Sequence, residues 1–262
     1  MGGDVTLGDK NEEHSEIYLQ YFEAASAMML RVDGEYGRLS LAFEDLFGFY
    51  WKTMAWFDGK PWGAYPQFRK VILLFYVRGL SAAFSAADLA FKSAYTECYA
   101  VLRTTYESLV RVILIAERPG ELSHGMSPGL NMQAADREAG LNLYRSVYRL
   151  LSAHSHSHIV DVVGDLERLY RRRAEGIALG REFDEARFTG TLNMTMYFMW
   201  GFLFLAPSVF PQLRGDDVWM REHEQMIGTV GRTFAEHPKP FWRRAYSSIV
   251  PIPARIVAAG ES

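Results

Sequence analysis

Cysteine is almost missing: the 262 residues contain one, Cys98. One thiol makes no internal disulfide and no thiolate cage for a metal, and such a chain fits a reducing compartment. A cytoplasmic location is therefore expected. An excess of positive charge is missing too. The net charge is −3, which excludes a protein that coats nucleic acid with its whole surface, so any such contact must be local. The opening stretch, MGGDVTLGDKNEEHSE, lacks the basic end and apolar run of a secretion signal. There is no GxGxxG fingerprint, no phosphate-cradling GxxxxGK loop and no GxSxG elbow, so nucleotide and hydrolase folds have no support. Internal repeats and low-complexity segments are absent as well.

A charge-free run does occur between Arg187 and Arg214. A membrane helix needs about 20 predominantly apolar residues. Here Thr189, Thr191, Asn193 and Thr195 dilute the start, and Pro207 and Pro211 break the end. The strongly apolar part, Met194 to Ala206, has the length of a buried core helix. No membrane span is favoured.

What remains is an ordinary globular composition, 49% apolar and 23% charged, in a chain long enough to bury a core. The apolar periodicity is almost everywhere that of helices. Helices are expected from Asn11 to Arg31, Leu39 to Trp56, Gln67 to Phe91, Ala94 to Glu117 and Gln133 to about Leu169, the last with a break allowed around the histidines or at Gly164. Two more are expected near 191–206 and from Asp216 to Glu236, the last capped by Asp216 or Asp217. The small residues of GLSAAFSAADLA should let neighbouring helices approach closely. The stretch from Arg118 to Asn131 reads as a loop. Residues 171–185 read as a loop or a short hairpin turning at Gly176. The fold expected is all-α, a single-domain helical bundle of about six to eight helices. A flexible N-terminus (1–10) precedes the helical domain (11–236), and a proline-containing, irregular tail (237–262) follows it.

The segment YRLLSAHSHSHIVD places His154, His156 and His158 at alternate positions. On a helix, His154 and His158 share a face and, with Asp161, could hold zinc. That face also carries Val147 and Leu150, which suits histidines at a core edge. A step of seven from Arg149 reaches His156 on the same helix face. Ser152 lies between them, and Arg145 stands one turn earlier. The line Arg145, Arg149, Ser152, His156 has the chemistry for a phosphodiester: cations for charge and an imidazole that moves protons near neutral pH. A solvated polar face has the same spacing. On the preceding helix Arg103 and Glu107 stand at i and i+4, as does Glu107 with Arg111, which suits either a site or a surface ion pair. Six arginines and three acids lie between Leu143 and Arg173. Arg168, Arg171, Arg172 and Arg173 could hold backbone phosphates, with Tyr170 as a stacking face. Trp242, Arg243 and Arg244 form a second basic and aromatic group. His14, His124, His223 and His237 read as surface residues.

Arg149 and His156 resemble the Arg-x4–6-His motif of the HEPN superfamily, helical domains that include many metal-independent ribonucleases. Leu151-Ser152 followed by His156, with Arg103 and Glu107 one helix earlier, resembles a related bacterial helical family with Arg-x3-Glu and Leu-Ser-x3-His signatures. The resemblance covers about 94–165. It implies an RNA endonuclease without metal or other cofactor. His156 would carry the proton, with His154 a second candidate. Arg149 would stabilise the phosphate, Glu107 would orient Arg103 or His156, and Ser152 would hold the histidine or a phosphate oxygen. It also implies RNA as substrate, a homodimer, and a role in toxin–antitoxin or phage-defence systems with a partner protein. The alternative is a non-catalytic helical module that binds protein or nucleotide.

Overall fold

The computed structural model describes residues 36–155, apart from 38, 59, 62, 64 and 93, and residues 184–260; the side chains of 153–155 are also left aside. Among the described residues every regular element is helical and there is no strand. Helix α1 spans 39–57, α2 Gln67–Phe91 and α3 Tyr95–Glu117. Two short helices follow, α4 (Leu122–Met126) and α5 (Met132–Glu138). A π-helical turn, Tyr144–Tyr148, leads directly into α6 (Arg149–Ser155). The second half contains α7 (Glu185–Val209), α8 (Asp217–Ala235), α9 (Pro240–Ile249) and α10 (Ile252–Gly260). The first expected helix, residues 11–31, lies outside the described residues. So do the N-terminus 1–10 and the hairpin region up to residue 183.

Helix α7 is the central one. It carries apolar side chains all round, so it is buried all round: Phe198, Phe202, Leu203 and Leu205 are fully enclosed. It packs on α2, α3, α8 and α10. Both α2 and α7 are long and apolar enough to cross a membrane by length and composition, but 83% of the apolar window of α7 is buried inside the chain's own fold. The small residues of α2 act as the sequence suggests. Gly79, Ala83, Ala86, Ala87 and Ala90 are buried, and a Cβ on Gly79 would stand 2.8 Å from the Phe202 ring.

Pro207 sits inside α7. It has no N–H, so the carbonyl of Leu203 loses its usual helical donor. The ring of His223, on α8, supplies one: Nε2 lies 2.9 Å from that oxygen. A carbonyl only accepts, so Nε2 carries the proton. His223 is therefore a buried core residue and not the surface histidine expected. Burial lowers its pKa, against smaller opposing effects of the Leu203 carbonyl and Glu224.

Three other expectations change. The helix expected from Gln133 to about Leu169 is interrupted after Glu138, ahead of the break allowed at the histidines or Gly164, and resumes at Tyr144; Gly140 (φ 75°) and Asn142 (φ 55°) turn the chain through the left-handed region. The loop expected at 118–131 contains a 3₁₀ turn, Pro119–Glu121, and α4. Arg111 donates to the carbonyls of Gly125 and Ser127 and ties that segment to α3, in place of the expected pairing with Glu107. Finally, the tail expected to be irregular forms α9 and α10. Pro240 stands in the first turn of α9, where its missing N–H costs nothing. Asp216, one of the two expected caps, accepts from Val218 N and Trp219 N at the start of α8.

Candidate functional site

On α3, Tyr106 faces the core and Arg103 and Glu107 stand at its margin, 28% and 29% exposed. Arg103 Nε donates to Glu107 Oε1 at 3.0 Å. The hydroxyl of Tyr148 donates to the same oxygen at 3.1 Å, and the Arg103 guanidinium lies 5.1 Å from the centre of the Tyr148 ring. A cation over an aromatic face is attracted by the ring quadrupole. Burial works against the Arg103 cation, but the hydrogen bond to Glu107 and the further interactions with Tyr148 and Glu107 outweigh it, so its pKa is raised. Burial, and then the Glu107 carboxylate, raise the Tyr148 phenol. At neutral pH Arg103 is therefore a cation and Tyr148 a neutral hydroxyl donor.

A second polar group fixes the turn that delivers Tyr148. Asp136, on α5, is 2% exposed. Its carboxylate accepts the Tyr106 hydroxyl and the backbone N–H of Leu143 and Tyr144. Three donors satisfy a carboxylate that would otherwise be costly to bury. The ring of Tyr148 then stacks on Tyr144, with centroids 5.0 Å apart, and tilts against Tyr106. Helices α3 and α5 together thus hold the π-helical turn at the entrance to α6. Such turns are frequent at functional sites.

Of the residues singled out in the sequence, Arg103, Glu107 and Ser152 come together; Ser152 is half-buried and near enough to the Tyr148 phenol to work against the rise in its pKa. Arg145 and Arg149 do not join them. Both are exposed. The expected line Arg145, Arg149, Ser152 is split: Tyr148 and Ser152 lie towards α3 while the two arginines face solvent. His154 belongs to α6, and its side chain is not described. His156, Arg168, Tyr170, Arg171, Arg172 and Arg173 lie outside the described residues. Trp242 is 5% exposed and belongs to the core, so it offers no stacking face, and Arg243 is bonded to the His237 carbonyl.

Tyr148 and Asp136 were not singled out from the sequence, and Tyr106 was read there only as part of the buried seam beside Arg103 and Glu107, which it is. A signal existed for Tyr148, which directly precedes Arg149 and stands four residues after Tyr144. Asp136 offered little beyond its place four residues before a glycine. Among the described residues no three His, Cys, Asp or Glu side chains gather where a metal ion could sit; His156 and His158 are not among them. No family model, curated protein or solved structure matches the chain.

Proposed function

We propose that the chain is a HEPN-like, metal-independent RNA endonuclease. One observation supports this: Tyr148, the residue before Arg149, bonds Glu107, the partner of Arg103. Glu107 of the Arg-x3-Glu signature and Ser152 of the Leu-Ser-x3-His signature thereby lie on either side of Tyr148, while Arg149 itself faces solvent. In this reading the exposed Arg149 stabilises the pentavalent phosphate. His156, or His154 in its place, takes the 2′-hydroxyl proton and returns one to the leaving oxygen. Glu107 holds Arg103, and Ser152 holds the histidine or a phosphate oxygen. The 2′-oxygen attacks phosphorus and the 5′-oxygen leaves, giving a 2′,3′-cyclic phosphate and a 5′-hydroxyl. Arg145 and the arginines of 168–173 grip the backbone, and Tyr170 stacks on a base. A cytoplasmic homodimer acting in toxin–antitoxin or phage defence belongs to this reading through the family resemblance.

The test is the chemistry of the ends. Cleaved RNA should carry a cyclic phosphate, and replacing the single 2′-hydroxyl at a mapped cut with hydrogen should abolish that cut. A 5′-phosphate product would overturn the mechanism.

A second reading, a non-catalytic binding module, is favoured by a different observation. Leu41 and Trp51 on α1 and Leu74, Val77 and Phe84 on α2 are exposed apolar side chains, and apolar surface of this kind marks an interaction site where it is contiguous. In that case Arg103, Glu107 and Tyr148 serve only to clasp α3 to the turn before α6.

A further inference from the structure

A cavity of about 180 Å³ lies where α2 begins and α3 and α7 end, under α10. Ala116 of its wall is 13 residues from Arg103 on α3, about 20 Å along the helix, so it is separate from the site above. Two arginines line it, Arg69 and Arg214, and no carboxylate does among the described residues.

Arg69 is placed at a cost. It stands in the first turn of α2, where the helix dipole disfavours a cation, and that turn has no acidic residue and no side-chain cap. Its Nε is buried without a hydrogen-bond partner. Its guanidinium lies over the Phe68 ring, 5.3 Å from the centroid, and burial lowers its pKa. Nothing among the described residues neutralises it. Arg214 is anchored by Nε, which donates to the Pro207 carbonyl at 2.9 Å. The rest of the wall is largely apolar, with Val209, Ile256 and Val257.

We propose that this cavity binds a small carboxylate with a compact apolar body. A guanidinium pairs with a planar carboxylate through two parallel hydrogen bonds. The apolar wall would be wasted on a bare inorganic anion. A cavity of roughly 150 Å³ accommodates benzene, so the ligand is of benzoate size, well below the pockets that hold drug-sized molecules.

Benzoate is the probe, titrated calorimetrically into the full chain, with neutral benzamide and inorganic phosphate as comparisons. One further control matters: Glu261 follows the lining residue Gly260 in sequence and is the chain's own rival counter-charge. The expected result is one benzoate per chain and a rise in Tm, with weaker binding of benzamide and phosphate. Arg69→Met and Arg214→Met should each weaken benzoate at least about tenfold. Arg69→Lys, which keeps the charge and loses the fork, should weaken it less, and Glu261→Gln should leave it unchanged or tighten it. The proposal is overturned if neither the wild type nor E261Q binds benzoate. It is equally overturned if benzamide or phosphate binds as well as benzoate, or if folded R69M, R69K and R214M all bind as the wild type does.

Discussion

The hydroxyl of Tyr148 donates to Glu107 Oε1 at 3.1 Å, across 41 residues of sequence. The same oxygen accepts Arg103 Nε, so a single carboxylate joins the middle of α3 to the turn that starts α6. Tyr148→Phe removes one donor and keeps the stacked ring. The predicted cost is about 1 kcal/mol, read from urea unfolding. A double-mutant cycle with Glu107→Gln should return a coupling of comparable size. A coupling of zero would mean that the two side chains do not cooperate in solution.

Asp136 should matter more. Its three donors are Tyr106 Oη, Leu143 N and Tyr144 N, all orphaned by Asp136→Ala. Each buried unsatisfied group costs about 1–3 kcal/mol, so a loss of at least about 3 kcal/mol is expected, along with faster amide exchange at 143–149. Asp136→Asn should fall between wild type and alanine, because it still accepts but carries no charge. Unchanged exchange in a folded Asp136→Ala protein would contradict this role.

His223 gives a pH dependence whose sign follows from its burial. Its pKa in the fold is lowered from 6.5, so the unfolded chain binds a proton that the folded chain rejects. Stability from His223 is complete above the unfolded pKa and is lost as pH falls through it towards the lower folded value. His237 is shifted the same way by partial burial and by Lys239 and Arg243, so the wild-type slope is not due to His223 alone. His223→Gln keeps an N–H donor for Leu203 and cannot titrate. Its Tm should fall less than that of the wild type between about pH 7 and about pH 5. Parallel profiles would show that His223 takes up a proton as readily in the fold as in the unfolded chain.

Gly79 is a packing prediction. Alanine in a helix interior gains up to about 1 kcal/mol over glycine. Here the added methyl would meet Phe202 at 2.8 and 3.0 Å and the Tyr50 hydroxyl at 3.1 Å. Phe202 and Tyr50 are fully buried and have little room to move. Overpacking costs about 1–3 kcal/mol, so Gly79→Ala should destabilise the protein in thermal melts. A raised Tm would mean that α2 and α7 sit further apart.

Long helices were legible because their apolar periodicity is set by large, repeated side chains: α2, α3, α7 and α8 stand close to their expected positions. The breaks were less so. Gly140 and Asn142 interrupt a helical pattern without proline, and what stabilises the break is Asp136, whose partners are backbone groups that no side-chain pattern records. Pro207 was visible as a helix breaker, yet α7 continues through it because His223, 16 residues later, answers the orphaned carbonyl. Pairing of Arg103 with Glu107 follows from their spacing. Recruitment of Tyr148 to the same oxygen does not, because it is a contact across 41 residues that no spacing within one helix records.

Cleavage of a mixed RNA pool in EDTA is the most direct measurement, comparing the wild type with Arg149→Ala and His156→Ala, each verified as folded, and with His154→Ala to separate the two histidines. The ribonuclease account predicts EDTA-resistant cleavage that falls at least about 100-fold in Arg149→Ala and in whichever histidine variant removes the proton carrier. No cleavage at high protein concentration, or equal cleavage by all the variants, would contradict it.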